Sequence, residues 1–176
     1  GAYASGIATA MYAWPLWLAL LAAMALGALA AFLIGLPTLR LRGLYFAMAT
    51  LAAAEMLRIV FELIHFQREI DGELVGPDGT QGFRGIRWIF EAGIEPQDFL
   101  AIVWALLVLV VAMFVIVERS RLGASLRMLG EDPELARALG IQVERFKLGV
   151  ASVAGALAGL GGALYAHHNT YIEPRN

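Results

Sequence analysis

Two uncharged apolar runs, Phe99–Val117 and Leu148–Ala166, flank a polar island, Glu118–Lys147. Each run has nineteen residues, and a helix of that length spans about 28 Å, close to the roughly 30 Å hydrocarbon core of a bilayer. A chain with this pattern reads as an integral membrane protein. The island between the runs is then a loop obliged to sit in water.

Two further spans can be drawn, Pro15–Leu36, ended by Pro37, and Leu44–Phe66. Gly1–Met11 is small and apolar and reads as the tail of an earlier helix. Sixty per cent of the residues are apolar and 16% charged, outside the range of ordinary soluble domains. The expected fold is therefore an all-α, polytopic transmembrane bundle, one domain over residues 1–176, with approximate spans 15–36, 44–66, 99–117 and 148–166. The chain starts at Gly1 rather than Met and stops after Tyr171–Asn176 without a helix cap. It is expected to be part of a longer protein, truncated at both ends. No Cys is present, so disulfides, thiolate metal sites and Cys nucleophiles are excluded.

Charge in the loops orients the bundle. Segment 67–98 holds three Arg (Arg68, Arg84, Arg87) against seven acids. The island holds six basic residues: Arg119, Arg121, Arg127, Arg137, Arg145 and Lys147. The turn 37–43 adds Arg40 and Arg42 with no acid. Basic and acidic loops alternate, as four crossings require. Arg40, Arg42 and the island are expected in the cytoplasm, with segment 67–98 and both chain ends outside.

Small residues recur every four positions in the first span (Ala23, Gly27, Ala31, Gly35) and the fourth (Ala151, Gly155, Gly159). Such rows let helix backbones approach closely, in ordinary packing or, as the sharper reading, in dimerisation. In the second span Glu55, Arg58 and Glu62 share one helix face. Charges in mid-membrane must face the bundle interior or a water-filled path. They form either an internal ion pair that sets helix rotation or, together with Thr50, the lining of a translocation path.

Several motifs fail. Gly76-Pro77-Asp78-Gly79-Thr80 lacks the Gly-Lys-Ser/Thr ending of a phosphate loop and reads as a turn. His167 and His168 are adjacent, point in different directions on a helix, and have no acid or Cys nearby to complete a metal site. They read as a polar helix end at the membrane interface, as does His65. Asp71, Glu73 and Asp78 read as a solvated acidic surface. Mixed charge in the island gives nucleic-acid binding no support. No catalytic set, cofactor site or metal site is expected.

One motif survives. Asp132 is a good N-cap, Pro133 suits the first helical position, Glu131 and Glu134 suit the positive end of the dipole, and Gly140 suits the left-handed stop. Leu135, Ala138, Leu139 and Ile141 form an apolar stripe. Seven helical residues fall below the roughly 12–15 needed for marginal stability in water. The helix is expected either to rest on its own bundle or to dock on a cytoplasmic partner that holds it.

The runs Leu122-Gly123-Ala124-Ser125-Leu126-Arg127 and Glu131–Ile141, followed by Lys147, resemble the cytoplasmic signature of bacterial ABC-transporter permeases, and more narrowly the branched-chain amino-acid permease family. Leu39–Ala47 with Thr50, Leu51 and Glu55 is similar to that family's second signature. Gly76–Gly79, Leu157–Ala166 and Gly1-Ala2-Tyr3 match further stretches of it. Leu135 and Arg137 depart from it, where the family often carries Ala. The resemblance implies a multi-pass subunit of the bacterial cytoplasmic (inner) membrane. It implies a second permease subunit, two cytoplasmic ABC ATPase subunits that hydrolyse the ATP, and a periplasmic or extracellular substrate-binding protein. Carried over by match, Glu131, Asp132, Glu134, Ala136, Arg137, Gly140 and Ile141 would form the segment that couples to the ATPase. The expected function is import of branched-chain or related amino acids without catalysis by this chain. A sugar or nucleoside importer and a non-transporting scaffold or channel are the alternatives.

Overall fold

A computed structural model describes residues 1–12, 14–38, 41, 44–65, 68–70, 73–78, 83–84, 96–169 and 171–172. Seven helices make the described part of the bundle: α1 Ala2–Ala10, α2 Leu16–Thr38, α3 Leu44–Leu63, α4 Pro96–Arg119, α5 Arg121–Glu131, α6 Pro133–Ala138 and α7 Val143–Asn169. Four of them, α2, α3, α4 and α7, are long and apolar enough to cross a membrane. The expected all-α bundle is thus the fold. Arg40 and Arg42, on which part of the orientation rests, lie outside the described residues.

Short strands add a small antiparallel sheet in the order β1 Arg68–Ile70, β2 Glu73–Pro77, β3 Phe83–Arg84 and β4 Tyr171–Ile172. The strand β4 follows α7 and pairs with β3, Arg84 opposite Tyr171 and Phe83 opposite Ile172. This pairing brings the segment after α3 and the segment after α7 to one end of the bundle. The island helices α5 and α6 occupy the other end, between α4 and α7.

The most extensive helix contact joins α2 and α7. Their rows of small residues face each other. A Cβ on Gly27 would overlap the Gly155 carbonyl, one on Gly155 would overlap Ala31 and the Gly27 carbonyl, and one on Gly159 would overlap the Ala23 carbonyl. Without side chains at these points the backbones meet directly, and dispersion replaces the hydrophobic driving force that lipid cannot supply. The small-residue rows are therefore used within the chain, as ordinary helix packing.

Helix α1 packs against α7 and α2. Tyr3 stacks on Phe61 with ring centroids 4.8 Å apart and packs beside the fully buried Ala166. His167 departs from its expected place at a polar helix end: it is 1% exposed, buried against Thr9 of α1. His168, one residue on, is exposed and stacks near Phe99 of α4. Helix α3 has no buried residue, and Phe99 is the one buried position of α4 among its described residues. The described core is thus α1, α2 and α7, with α3 and α4 presenting open faces.

Candidate functional site

The island folds as two helices rather than one. Ser120 ends α4 and caps α5: its hydroxyl accepts from the Gly123 amide at 3.4 Å and donates to the Val117 carbonyl at 2.6 Å. Gly123 is buried where α5 turns back, and a Cβ there would overlap the Val117 and Glu118 carbonyls. Arg127 donates to the Glu118 carbonyl at 3.2 Å and ties α5 to the end of α4.

Helix α6 starts as its sequence requires. Oδ1 of Asp132 accepts from the Glu134 and Leu135 amides at 2.9 and 3.0 Å, and Pro133 fills the first turn. Gly140 has φ +82°, the left-handed conformation that stops the helix. Its amide donates to the Arg137 carbonyl at 2.9 Å, and the Ile141 amide donates to the Ala136 carbonyl at 3.0 Å.

The chain itself grips this short helix. Ala136 is fully buried in a cluster with Leu129 of α5 and Val143 of α7, and Met128, Ile141 and Phe146 pack around it. Arg137 donates to Oε1 of Glu144 at 2.6 Å, an exposed ion pair that bridges α6 to the first turn of α7. Of the two expectations for so short a rod, rest on its own bundle or hold by a partner, the structure shows the first contact: burial of one face on its own chain replaces the missing helical turns.

This burial also sorts the coupling residues named from the sequence. Ala136 points inward and Ile141 is half-buried on the same cluster, so neither belongs to the free face. Glu131, Asp132, Glu134, Arg137 and Gly140 are exposed. Leu135 and Leu139, one turn apart, are 52% and 62% exposed and form the outward apolar ridge of the segment. An open cleft beside it is lined by Arg137, Gly140, Ile141, Gln142, Glu144 and Arg145. The socket residues Leu129 and Val143 escaped the sequence reading. Their signal was the seven-residue step from Leu129 to Ala136 to Val143.

On α3 the structure brings Glu55, Arg58 and Glu62 together. Nε of Arg58 donates to both Glu55 oxygens at 3.0 Å, and its Nη1 donates to Oε1 of Glu62. Thr50 does not join them. Its hydroxyl donates to the Ala47 carbonyl at 2.9 Å, and it lies about 12 Å along the helix axis from Arg58. Among the described residues, no group of three His, Cys, Asp or Glu side chains could hold a metal ion.

A family model described as the permease component of the branched-chain amino acid transport system matches residues 1–176. The high-affinity branched-chain amino acid transport system permease protein LivM of Escherichia coli (strain K12) is 34% identical over 200 residues, covering all of this chain and 45% of that protein. LivM of Salmonella typhimurium is 33% identical over 197 residues with the same coverage. The nucleoside ABC transporter permease protein NupC of Lactococcus lactis is 31% identical over 157 residues, 85% of this chain and 48% of that protein. The chain thus spans about half the length of these relatives. No solved structure gives a significant match. With a family match over its whole length and four helices fit to cross a membrane, the chain is a multi-pass protein of the bacterial inner membrane and belongs to the family of branched-chain amino acid transport permease components.

Proposed function

We propose that this chain forms one transmembrane permease unit within the membrane subunit of an ATP-driven ABC importer for branched-chain or related amino acids. The 118–147 loop faces the cytoplasm and α6 docks on an ATPase subunit, which carries out the hydrolysis. A second permease subunit and an external substrate-binding protein complete the importer. The observation that carries this reading is the shape of α6. One face is anchored on its own chain through Ala136, while Leu135 and Leu139 stand out as an apolar ridge with Glu134 and Arg137 beside it. An exposed apolar pair in a charged cytoplasmic loop suits a groove on a partner. Because the helix is fixed to α5 and α7, a push on it moves both. Alternating access needs two bundle arrangements that ATP binding populates differently.

Co-purification tests the docking. Leu135→Asp with Leu139→Asp is expected to release the ATPase subunit from a complex that otherwise folds and inserts; retention of the ATPase with undiminished import overturns the reading. The NupC likeness supports a nucleoside as the alternative cargo. Uptake by the complete complex, with amino acids and nucleosides as competitors, separates the two.

A further inference from the structure

We propose that the elbow between α4 and α5 is a binding surface for anionic phospholipid headgroups, formed by the guanidiniums of Arg119, Arg121 and Arg127. The inference needs only that α4 crosses the membrane. It goes beyond the importer reading and stands or fails without it.

The uncharged run Phe99–Val117 has nineteen residues, about 28 Å of helix, against a hydrocarbon core of roughly 30 Å. The first charged residues after it, Glu118 and Arg119, therefore reach the level of the lipid phosphates. The chain does not lead away from that level at once. Ser120 ends α4, and Gly123 lies against the Val117 and Glu118 carbonyls, where a Cβ would overlap both. The first turn of α5, with Arg121, is thereby held beside the last turn of α4. Arg127, on the second turn of α5, reaches back and donates from Nη2 to the Glu118 carbonyl at 3.2 Å. Three guanidiniums thus gather about one helix end.

Their charge is not met within the chain. Glu118 is the one acid between Val117 and Gly130. Arg119 and Arg121 are exposed, and among the described residues neither has an ion-pair partner. Arg127 is bonded to a carbonyl, which leaves its charge unpaired. Three guanidiniums against one carboxylate leave two positive charges unbalanced. At this level of the bilayer the complementary group is a lipid phosphate, which a guanidinium holds through two parallel N–H donors. A zwitterionic headgroup brings its own cation and balances nothing. An anionic one, such as phosphatidylglycerol, brings a net negative charge. Leu122, next to Arg121, is 56% exposed and offers an acyl chain an apolar contact beside the headgroup.

The test places the full-length protein in vesicles of equal parts phosphatidylcholine and phosphatidylglycerol, with bromine on the acyl chains of one lipid or the other. Leu122→Trp puts an indole at the elbow. Its quenching is the difference from the unaltered chain, which has four Trp of its own. Brominated phosphatidylglycerol is expected to quench as if enriched locally by about fivefold, the preference that one basic residue at a membrane surface confers. Adding Arg119→Gln with Arg121→Gln should bring the ratio toward one, whereas Arg119→Lys with Arg121→Lys should keep most of it. Lys147→Gln removes one charge from α7 instead and should leave it unchanged. Three results overturn the inference: a ratio near one with the arginines present, a ratio that falls as far with Lys147→Gln, and no quenching by either lipid. If the glutamine pair leaves the ratio unchanged and releases the ATPase subunit, the patch serves a protein partner. That outcome overturns the lipid surface and leaves the importer reading standing.

Discussion

The hydroxyl of Thr9 lies 3.3 Å from Nε2 of His167, and both side chains are buried where α1 packs on α7. The other ring nitrogen, Nδ1, stands 2.8 Å from the Ala163 carbonyl, which can only accept. Nδ1 therefore carries a proton. In the neutral ring Nε2 is then an acceptor, and the single hydroxyl proton of Thr9 is shared between it and the Ser5 carbonyl 2.9 Å away. Thr9→Val keeps the shape and removes that donor, leaving a buried nitrogen without its partner on α1. The expected cost is about 1–3 kcal/mol, read as a lower midpoint of thermal unfolding in detergent. His167→Leu on top of Thr9→Val should restore part of the loss, since two apolar groups leave nothing unsatisfied. A double variant as unstable as the sum of the singles would show that the two residues do not act as a pair.

The contact of α2 with α7 makes a second expectation specific to position. Gly27→Val, Gly155→Val and Gly159→Val each drive a side chain into backbone of the facing helix, which cannot move aside as a flexible side chain would. Each should cost at least about 1–3 kcal/mol and reduce the yield of folded protein. Gly149 and Gly161 lie in the same helix α7 with open space around them. Gly149→Ala and Gly161→Ala should be neutral or stabilising by up to about 1 kcal/mol through helix propensity. Equal effects in the two groups, measured by detergent melting curves, would mean that the close approach of the two helices is not what the glycines serve.

These small-residue rows were legible in the sequence, because a four-residue step on an uncharged run has one geometric meaning. So were the cap of α6 at Asp132 and its stop at Gly140, where the residue types satisfy local backbone demands. What was hidden depended on other segments. Nothing local to His167 says that Thr9 faces it 158 residues away. Ala136 looks like a surface residue until Leu129 and Val143 close over it. Helix α5 escaped because its short polar sequence has no long apolar run, although Ser120 caps it by the same chemistry as Asp132 caps α6. The β1–β2 pair had a local signal in the sequence, since Asp-Gly is a dipeptide favoured between antiparallel strands and stands at 71–72. Its acids drew the reading toward a solvated loop instead.

The two faces of α6 should respond oppositely to substitution. Ala136→Leu forces extra volume into the fully enclosed cluster with Leu129 and Val143. It should displace α6 and cost about 1–3 kcal/mol of local stability, seen as faster amide hydrogen exchange over residues 133–143. Leu135→Ala and Leu139→Ala remove side chains that touch no described core. They should leave exchange unchanged and weaken the hold on the ATPase subunit by about tenfold each, the scale of an interface anchor. If Ala136→Leu weakens partner binding without faster exchange, while the leucine variants bind normally, the docking face has been assigned to the wrong side of the helix.

The ends of α6 offer a graded test of how far the segment depends on its own backbone chemistry. Asp132→Ala removes the acceptor for the Glu134 and Leu135 amides and should cost about 0.5–2 kcal/mol of local stability. Asp132→Ser keeps an acceptor and should retain most of it. At the other end, Gly140 has φ +82° with open space around it, so a side chain there meets backbone strain but no clash. Gly140→Ala should cost about 1–2 kcal/mol for that conformation, and Gly140→Asn less, because Asn enters the left-handed region more readily. Since α6 lies outside the membrane-crossing helices, these losses should appear as faster hydrogen exchange at residues 133–139 with little change in the melting of the bundle. The order expected for exchange is Gly140→Ala faster than Gly140→Asn, and Asp132→Ala faster than Asp132→Ser. If all four variants exchange as the unaltered chain does, the burial of Ala136 alone holds the helix and the end residues are dispensable for it.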